Sequence, residues 1–448
     1  MLKPCSILFL LLAPALGDAF AVSPPCSSTL ARTSREVSTD QRYEADVAFL
    51  LDSFEEQAGA LLKLKGVDWN AVRKEFSQAS KGVTTDQEHI ELCARLIARL
   101  QDGHAGFTRV EVDMAGRGAG ETFGCGLELV EVGKKLYVKR AFGSAAACGV
   151  DAGSEVVKID GLKADKWLTA ATEKLCDTKG FSTPAAARWA ACTWGLVGPA
   201  GERIAFELKK PKGGAKKATL TYDKSGGQGS LVGPVVFPEG LAALGRDIAW
   251  AKLPSGHGYI WIGRVPGDLH ELIDQALAGL GEVPGIVLDF RANRGGGYDR
   301  DAVHGRFVPK GQSFGGESSA GPNPYGGPVV VLADPATISA GETIVGEFAE
   351  EGRAYLIGPG PTHGASGSKV ELEAPSKLFA VRFVVASNKQ RFNGGRGVEG
   401  IGIPPHEVVA YDPKLLAAGV DPCIARAVEL LAKPLPKSKV SFSPVAAR

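Results

Sequence analysis

The chain has almost no excess of either charge: 51 Lys and Arg stand against 50 Asp and Glu, a net charge of +1. That balance removes the electrostatic argument for nucleic acid or an anionic membrane surface as a partner. Long apolar runs are also missing. The best candidate, ILFLLLAPA at residues 7–15, falls far short of the roughly 20 residues needed to span a bilayer. There is no CxxC pair and no Cys/His cluster, which leaves no basis for a zinc site, and no cofactor is expected. The GxGxxG and GxxxxGK[ST] spacings of nucleotide loops are absent too. What is present is ordinary for a globular protein: 44% hydrophobic and 23% charged residues, with 58 glycines gathered at turns. A length of 448 residues suggests about two to four domains.

The N-terminus reads as a secretory signal over residues 1–21. Lys3 precedes the apolar stretch, and small residues at Ala15 and Gly17, or at Ala19 and Ala21, offer cleavage sites. A retained anchor is the alternative. Residues 22–40, rich in Ser, Thr and Pro, read as a disordered lead-in. The expectation is an exported protein, periplasmic or extracellular, with no stable membrane span after cleavage. Export permits disulfides. Losing Cys5 from the eight cysteines leaves seven, so at least one is a free thiol or pairs between molecules. A short hairpin-like segment makes Cys176 with Cys192 the most plausible pair, with buried structural thiols as the alternative.

Hydrophobic spacing divides the rest. Residues 41–110 have helical periodicity and end in a turn, Asp102-Gly103-His104. Residues 111–230 alternate as strands and turns, with a Cys-bounded insertion near 176–198. Residues 240–435 alternate strand and helix, which argues for a layered α/β domain. Strands are expected at 258–263, 285–290, 328–333, 354–357 and 379–386, and helices at 268–280, 340–351 and 413–432. Residues 436–448 read as a loose tail.

Four segments have the residue types for chemistry. In VVVLADPATISAGE, at 329–342, an apolar β-branched run leads into Ser339 at the start of a helix. A hydroxyl there is exposed beside backbone N–H groups able to hold an oxyanion. The same serine is also a good N-cap, with Glu342 three residues on to complete a capping box. The second segment, GIVLDFRANRGGG at 285–297, repeats the strand-end layout with glycines whose N–H groups can approach a carbonyl closely. A glycine-rich turn is the plain alternative. His104 lies in a glycine-flanked loop that projects its ring, and Glu399 in a glycine-bracketed turn, GVEGIGIP; a surface histidine and a solvated carboxylate are their plain alternatives.

Taken together, the DGH turn, DFRANRGG, SAGE and GVEGIGIPP, in that order over roughly 42–432, resemble the tail-specific, or C-terminal processing, serine peptidase family. The resemblance implies a layered crotonase/ClpP-like α/β catalytic domain behind an N-terminal helical bundle. The order of strands and turns over 111–230 resembles a circularly permuted PDZ domain, with FGCGLELV at 123–130 as the loop whose Gly124, Cys125 and Gly126 would bind a substrate carboxylate; a plain β-rich packing domain is the alternative. Family members place their nucleophile at the serine that is Ser339 here. One branch uses a lysine after a Gly-x-x-Thr-x-Gly turn; this chain has Ala365 at that place. The other branch, resembling tricorn protease, uses a histidine and a glutamate in turns that match His104 and Glu399. The implied assignment is Ser339 as nucleophile, His104 as base and Glu399 as its orienting carboxylate. Ala340 N–H with Gly295 or Gly296 N–H would form the oxyanion hole. His363, and Lys369 if the loop shifts register, stay open as alternative bases. The implied function is a metal-free serine endopeptidase acting on proteins or peptides through an acyl-enzyme. Two alternatives share the scaffold: a non-catalytic carrier of apolar ligands, like interphotoreceptor retinoid-binding repeats, and a thioester-processing enzyme of the crotonase kind.

Overall fold

The computed structural model describes residues 39–112, 121–227, 233–297, 299–388, 390–436 and 443–444. The expected signal segment, nearly all of the lead-in and most of the tail lie outside the described residues. No described helix is long and apolar enough to cross a membrane.

Three helices open the described chain: Thr39–Leu64, Trp69–Ala79 and Asp86–Ala98. Asp68 accepts the N–H of Ala71 to start the second. Thr85 and Glu88 form a reciprocal capping box on the third, which satisfies N–H groups a helix start leaves open. Leu50, Phe54, Phe76 and Leu96 are fully buried where the helices meet. Part of that core comes from far along the chain. The strand Phe379–Ser387, expected in the α/β layer, instead pairs antiparallel with Gly106–Val110 and Gly367–Glu373. Its alternate residues Phe379, Val381 and Phe383 pack into the helical core, so the period-two pattern is satisfied on a different partner.

The β-rich unit is an antiparallel sheet in the order Leu127–Val132, Lys135–Ala141, Glu155–Ile159, Arg203–Lys209, Ala215–Thr221. Its insertion is helical, not hairpin-like: Ala164–Thr178 is followed by Pro184–Trp194, which Thr183 caps and Pro184 begins. The expected Cys176–Cys192 disulfide is not formed. Cys192 sits in the core beside Leu196 and Trp167, whereas Cys176 joins a separate cluster with Phe181 and Trp194, so the two helices turn their thiols to different neighbours. All six described cysteines are free.

The α/β unit carries a seven-stranded sheet. Ala242–Ala243 and Ile248–Lys252 form an antiparallel edge, and Gly258–Ile262, Ile286–Asp289, Val329–Leu332, Tyr355–Gly358 and Glu407–Val408 run parallel. Both faces are covered, as the continuous apolar strands require. Ile286, Leu288, Val329 and Val331 pack with the helices Leu269–Leu280 and Ala340–Glu350, while Val287, Val330 and Leu332 pack with Pro422–Leu431. The single helix expected over 413–432 is two, Pro413–Ala417 and Pro422–Leu431, because Gly419 at φ +69° and Pro422 interrupt it. The β-rich unit docks here through buried Lys139, whose Nζ donates to Gly233 O at 2.8 Å over the rings of Trp189 and Tyr411.

Candidate active site

Two parallel strands, Ile286–Asp289 and Val329–Leu332, end side by side, and the turns after them are stitched together. Asp334 Oδ1 accepts the N–H of Ala292 at 2.9 Å, and Thr337 Oγ1 donates to Phe290 O at 2.9 Å. Ser339 follows at the N-cap of Ala340–Glu350 with φ +62°. A residue with a Cβ holds that conformation at a cost of about 1–3 kcal/mol, so the surroundings must enforce it. They do so through its N–H, which donates to Ala365 O at 3.0 Å and Glu342 Oε2 at 3.1 Å. Buried Glu342 also accepts from Thr362 Oγ1, Gly364 N–H and Ala365 N–H at 2.5, 2.6 and 2.8 Å. Burial pushes its carboxyl up to about 7, against the pull of those donors. Ala365 is therefore a backbone anchor for the serine.

The glycine loop presses against the serine. Gly295 has φ +72°, and a Cβ there would lie 2.5 Å from Ser339 Cβ and 3.1 Å from its Oγ, so glycine alone fits. Its N–H, however, donates to Asn293 Oδ1 at 2.8 Å. Of the two expected loop donors, Gly295 is engaged internally, while Gly296 beside it is exposed. Asn293 is itself fixed by Nδ2 donating to Ile262 O at 2.7 Å. Beneath lies Arg291, fully buried, donating to both oxygens of Asp289 and both of Asp421.

His104 arrives on the turn between Asp86–Ala98 and Gly106–Val110. Asp102 Oδ1 accepts the His104 N–H at 2.8 Å, and Oδ2 accepts the Val384 N–H at 2.7 Å, which locks the turn to the long strand Phe379–Ser387. A Cβ on Gly103 would lie 2.5 Å from His363 Cε1 and 3.1 Å from Ala365 Cβ. The histidine turn thus touches the segment that anchors Ser339. Burial, then the basic neighbours Lys369, His363, Arg382 and Lys65, push the His104 imidazole down to about 3. Burial followed by Lys65 pushes His363 down to about 4. His363 is enclosed, stacked on Phe181 with its own N–H donating to Thr337 O at 2.9 Å. Lys369 lies on the strand Gly367–Glu373, whose residues alternate between half-buried and exposed, and its amine is lowered by partial desolvation and by Arg382.

Glu399 is fully buried and reaches the histidine turn indirectly. Its Oε1 accepts from Lys65 Nζ at 2.7 Å and from Ser182 Oγ at 3.0 Å, and Lys65 Nζ also donates to Gln101 O at 2.7 Å. Burial pushes its carboxyl up while Lys65 draws it back. The direct carboxylate–imidazole bond expected from the sequence is replaced here by this bridge. Glu399 Oε2 and the Nδ1 atoms of His104 and His363 are buried without a hydrogen-bond partner among the described residues. Lys65 and Ser182 are the residues that sequence reasoning missed. Neither lies in a motif, and nothing local distinguishes them.

The expected carboxylate-binding loop stands apart from this centre and is closed. Gly124, Cys125 and Gly126 are all buried, and Gly124 N–H donates to Gly227 O at 2.6 Å. A Cβ on Gly226 would lie 1.9 Å from Gly124 O and 2.8 Å from Gly126 N. The chain's own residues 223–227 therefore sit where a carboxylate would approach.

Residues 256–409 match the family model described as peptidase family S41. This part of the chain belongs to peptidase family S41. The S41 segment contains the glycine loop, Ser339 and Glu399, whereas His104 comes from outside it. Among solved structures, mature CPAF is similar at 14% identity over 87% of this chain and 96% of that one, TM-score 0.61. CPAF complexed with lactacystin is 14% identical over 88% and 98%, TM-score 0.60. A putative peptidase from Parabacteroides merdae ATCC 43184 is 16% identical over 89% and 99%, TM-score 0.50. At such identities these likenesses speak to fold alone, and they extend the shared architecture well beyond the S41 segment. No curated protein matches the chain.

Proposed function

We propose that this serine peptidase is an exported endopeptidase using Ser339, His104 and Glu399 on protein or peptide substrates. The observation that carries the reading is the enforced φ of +62° at Ser339, which holds the hydroxyl at a helix start against Gly295, while Ala365, the acceptor of its N–H, lies against the histidine turn. His104 takes the Ser339 proton as Oγ attacks the scissile carbonyl. The oxyanion is held by Ala340 N–H and Gly296 N–H, since Gly295 N–H is engaged by Asn293. His104 then protonates the leaving amine, and a water activated by the same imidazole releases the acyl group. Glu399 offsets the charge on the imidazolium. The half-buried His104 suits the base better than His363, whose ring is walled in between Gly103 and Phe181.

The PDZ-like unit would capture a C-terminal carboxylate at Gly124–Gly126 only after residues 223–227 withdraw. The strand a peptide would extend, Leu127–Val132, packs against Pro184–Trp194, whose Arg188 donates to both oxygens of Glu131 at 2.7 and 3.0 Å. Engagement of unfolded segments directly at the serine therefore accounts for more of the geometry than tail capture. Ser339→Ala should abolish both hydrolysis of an unfolded protein and labelling by a fluorophosphonate. Retained hydrolysis would sink the assignment, and a folded wild-type chain that resists labelling would favour a non-catalytic binder.

A further inference from the structure

The loop 180–183 belongs to the β-rich unit, yet each of its residues touches the candidate active site. A Cβ on Gly180 would lie 2.3 Å from Asp102 O. Phe181 stacks on His363 with ring centroids 6.1 Å apart. Ser182 Oγ accepts the Gly103 N–H at 3.0 Å and donates to Glu399 Oε1 at 3.0 Å. Thr183 Oγ1 donates to His363 O at 3.1 Å and accepts the Ala186 N–H at 3.2 Å, which fixes the loop to the start of Pro184–Trp194. Ser182 is 4% exposed and Glu399 0%, so no water competes for this bridge.

We propose that Ser182 is a positioning residue for catalysis, and that the β-rich unit thereby completes the active site. This rests on the reading of Ser339, His104 and Glu399 given above. A carboxylate held by one bond can swing, whereas two donors at fixed directions set its plane. Lys65 supplies the charge on Glu399 Oε1, and Ser182 supplies the second direction. With Oε1 so held, Oε2 is the oxygen left with acceptor capacity, and the Nδ1 atoms of His104 and His363 are the nearby ring nitrogens without a partner among the described residues, His104 being the less enclosed of the two. The same hydroxyl holds Gly103 N–H, one residue before His104. Ser182 therefore sets both the carboxylate and the turn that must meet as the imidazole gains its proton.

The test is steady-state kinetics on the full chain, with folding checked by circular dichroism. Ser182→Ala should lower kcat about tenfold or more with KM nearly unchanged, because the lost bond matters when charge develops on the imidazole. The acid limb of kcat should move to lower pH, since a misdirected carboxylate stabilises imidazolium less. Ser182→Thr, which keeps the hydroxyl, should recover most of kcat. A wild-type kcat and pH profile in Ser182→Ala overturns the proposal, as does a threonine variant no better than alanine. If Ser182→Ala does not fold, Ser182→Cys, with similar volume and a weaker donor, takes its place under the same criteria. Ser339→Ala run alongside separates the two claims: activity in that variant defeats the peptidase assignment, whereas its inactivity beside an unimpaired Ser182→Ala defeats the role of Ser182 alone.

Discussion

At the scale of single residues, the serine's backbone says more than its side chain. The sequence shows a serine that serves equally as an N-cap or a nucleophile; φ +62° is a feature that capping does not require. His104 carries a consequence in pH. Its imidazole, pushed down to about 3 from 6.5, is neutral at any pH above that value and so remains competent as a base in mild acid. The acid limb of kcat/KM should accordingly lie well below 6.5, with activity retained at pH 5; a limb centred near 6.5 contradicts the burial of this ring. Stability follows the same sign. His104 and His363, the latter at about 4, stay neutral in the fold while the unfolded chain takes up both protons below 6.5, so their contribution is full above 6.5 and is lost as pH falls from there through about 4 for His363 and about 3 for His104. Motif order was enough to nominate Ser339, His104 and Glu399. Ser182 and Lys65 were illegible because their significance is purely tertiary: they are separated from Glu399 by 217 and 334 positions.

Elements show where local patterns suffice and where they mislead. The strands Ile286–Asp289 and Val329–Leu332 and the helix Ala340–Glu350 agree closely with their apolar spacing, because each is buried against its sequence neighbours. The insertion misled, since two cysteines suggested a hairpin while Thr183-Pro184 and the alanines after it carry a helix start. The strand Phe379–Ser387 was legible as a strand but not in its partner, because alternation defines a face and not what covers it. Below the glycine loop, Arg291 pairs with both Asp289 and Asp421 with no exposure at the guanidinium. Arg291→Met would leave two carboxylates buried without their cation and should cost about 3–5 kcal/mol of stability. Chemical denaturation measures this, and a loss under about 1 kcal/mol would mean that the cluster is more hydrated than the geometry indicates. Asp421 also caps Pro422–Leu431, so the variant should loosen that helix together with the loop.

For the whole molecule, the free thiols remove covalent cross-links from the account of stability among the described residues. Thermal unfolding should be indifferent to a reducing agent, shifting by no more than about 1 °C, and thiol titration of the native chain should count exposed Cys148 first, then half-buried Cys176. A melting point that drops several degrees on reduction would reveal a bond the fold does not contain. Stability rests instead on shared cores, the clearest being the one that the strand Phe379–Ser387 completes under the N-terminal helices. That strand also fixes both remote parts of the candidate triad: Val384 N–H holds Asp102 beside His104, and Ser387 Oγ accepts the N–H groups of Val398 and Glu399 at 3.1 Å each. Asp102 and Val384 lie 282 positions apart. During synthesis, then, Ser339 emerges before the strand that orients the base and the carboxylate. A nascent chain that has already made Ser339 would stay inactive until this strand has followed it, so chain order sets proteolysis late in synthesis.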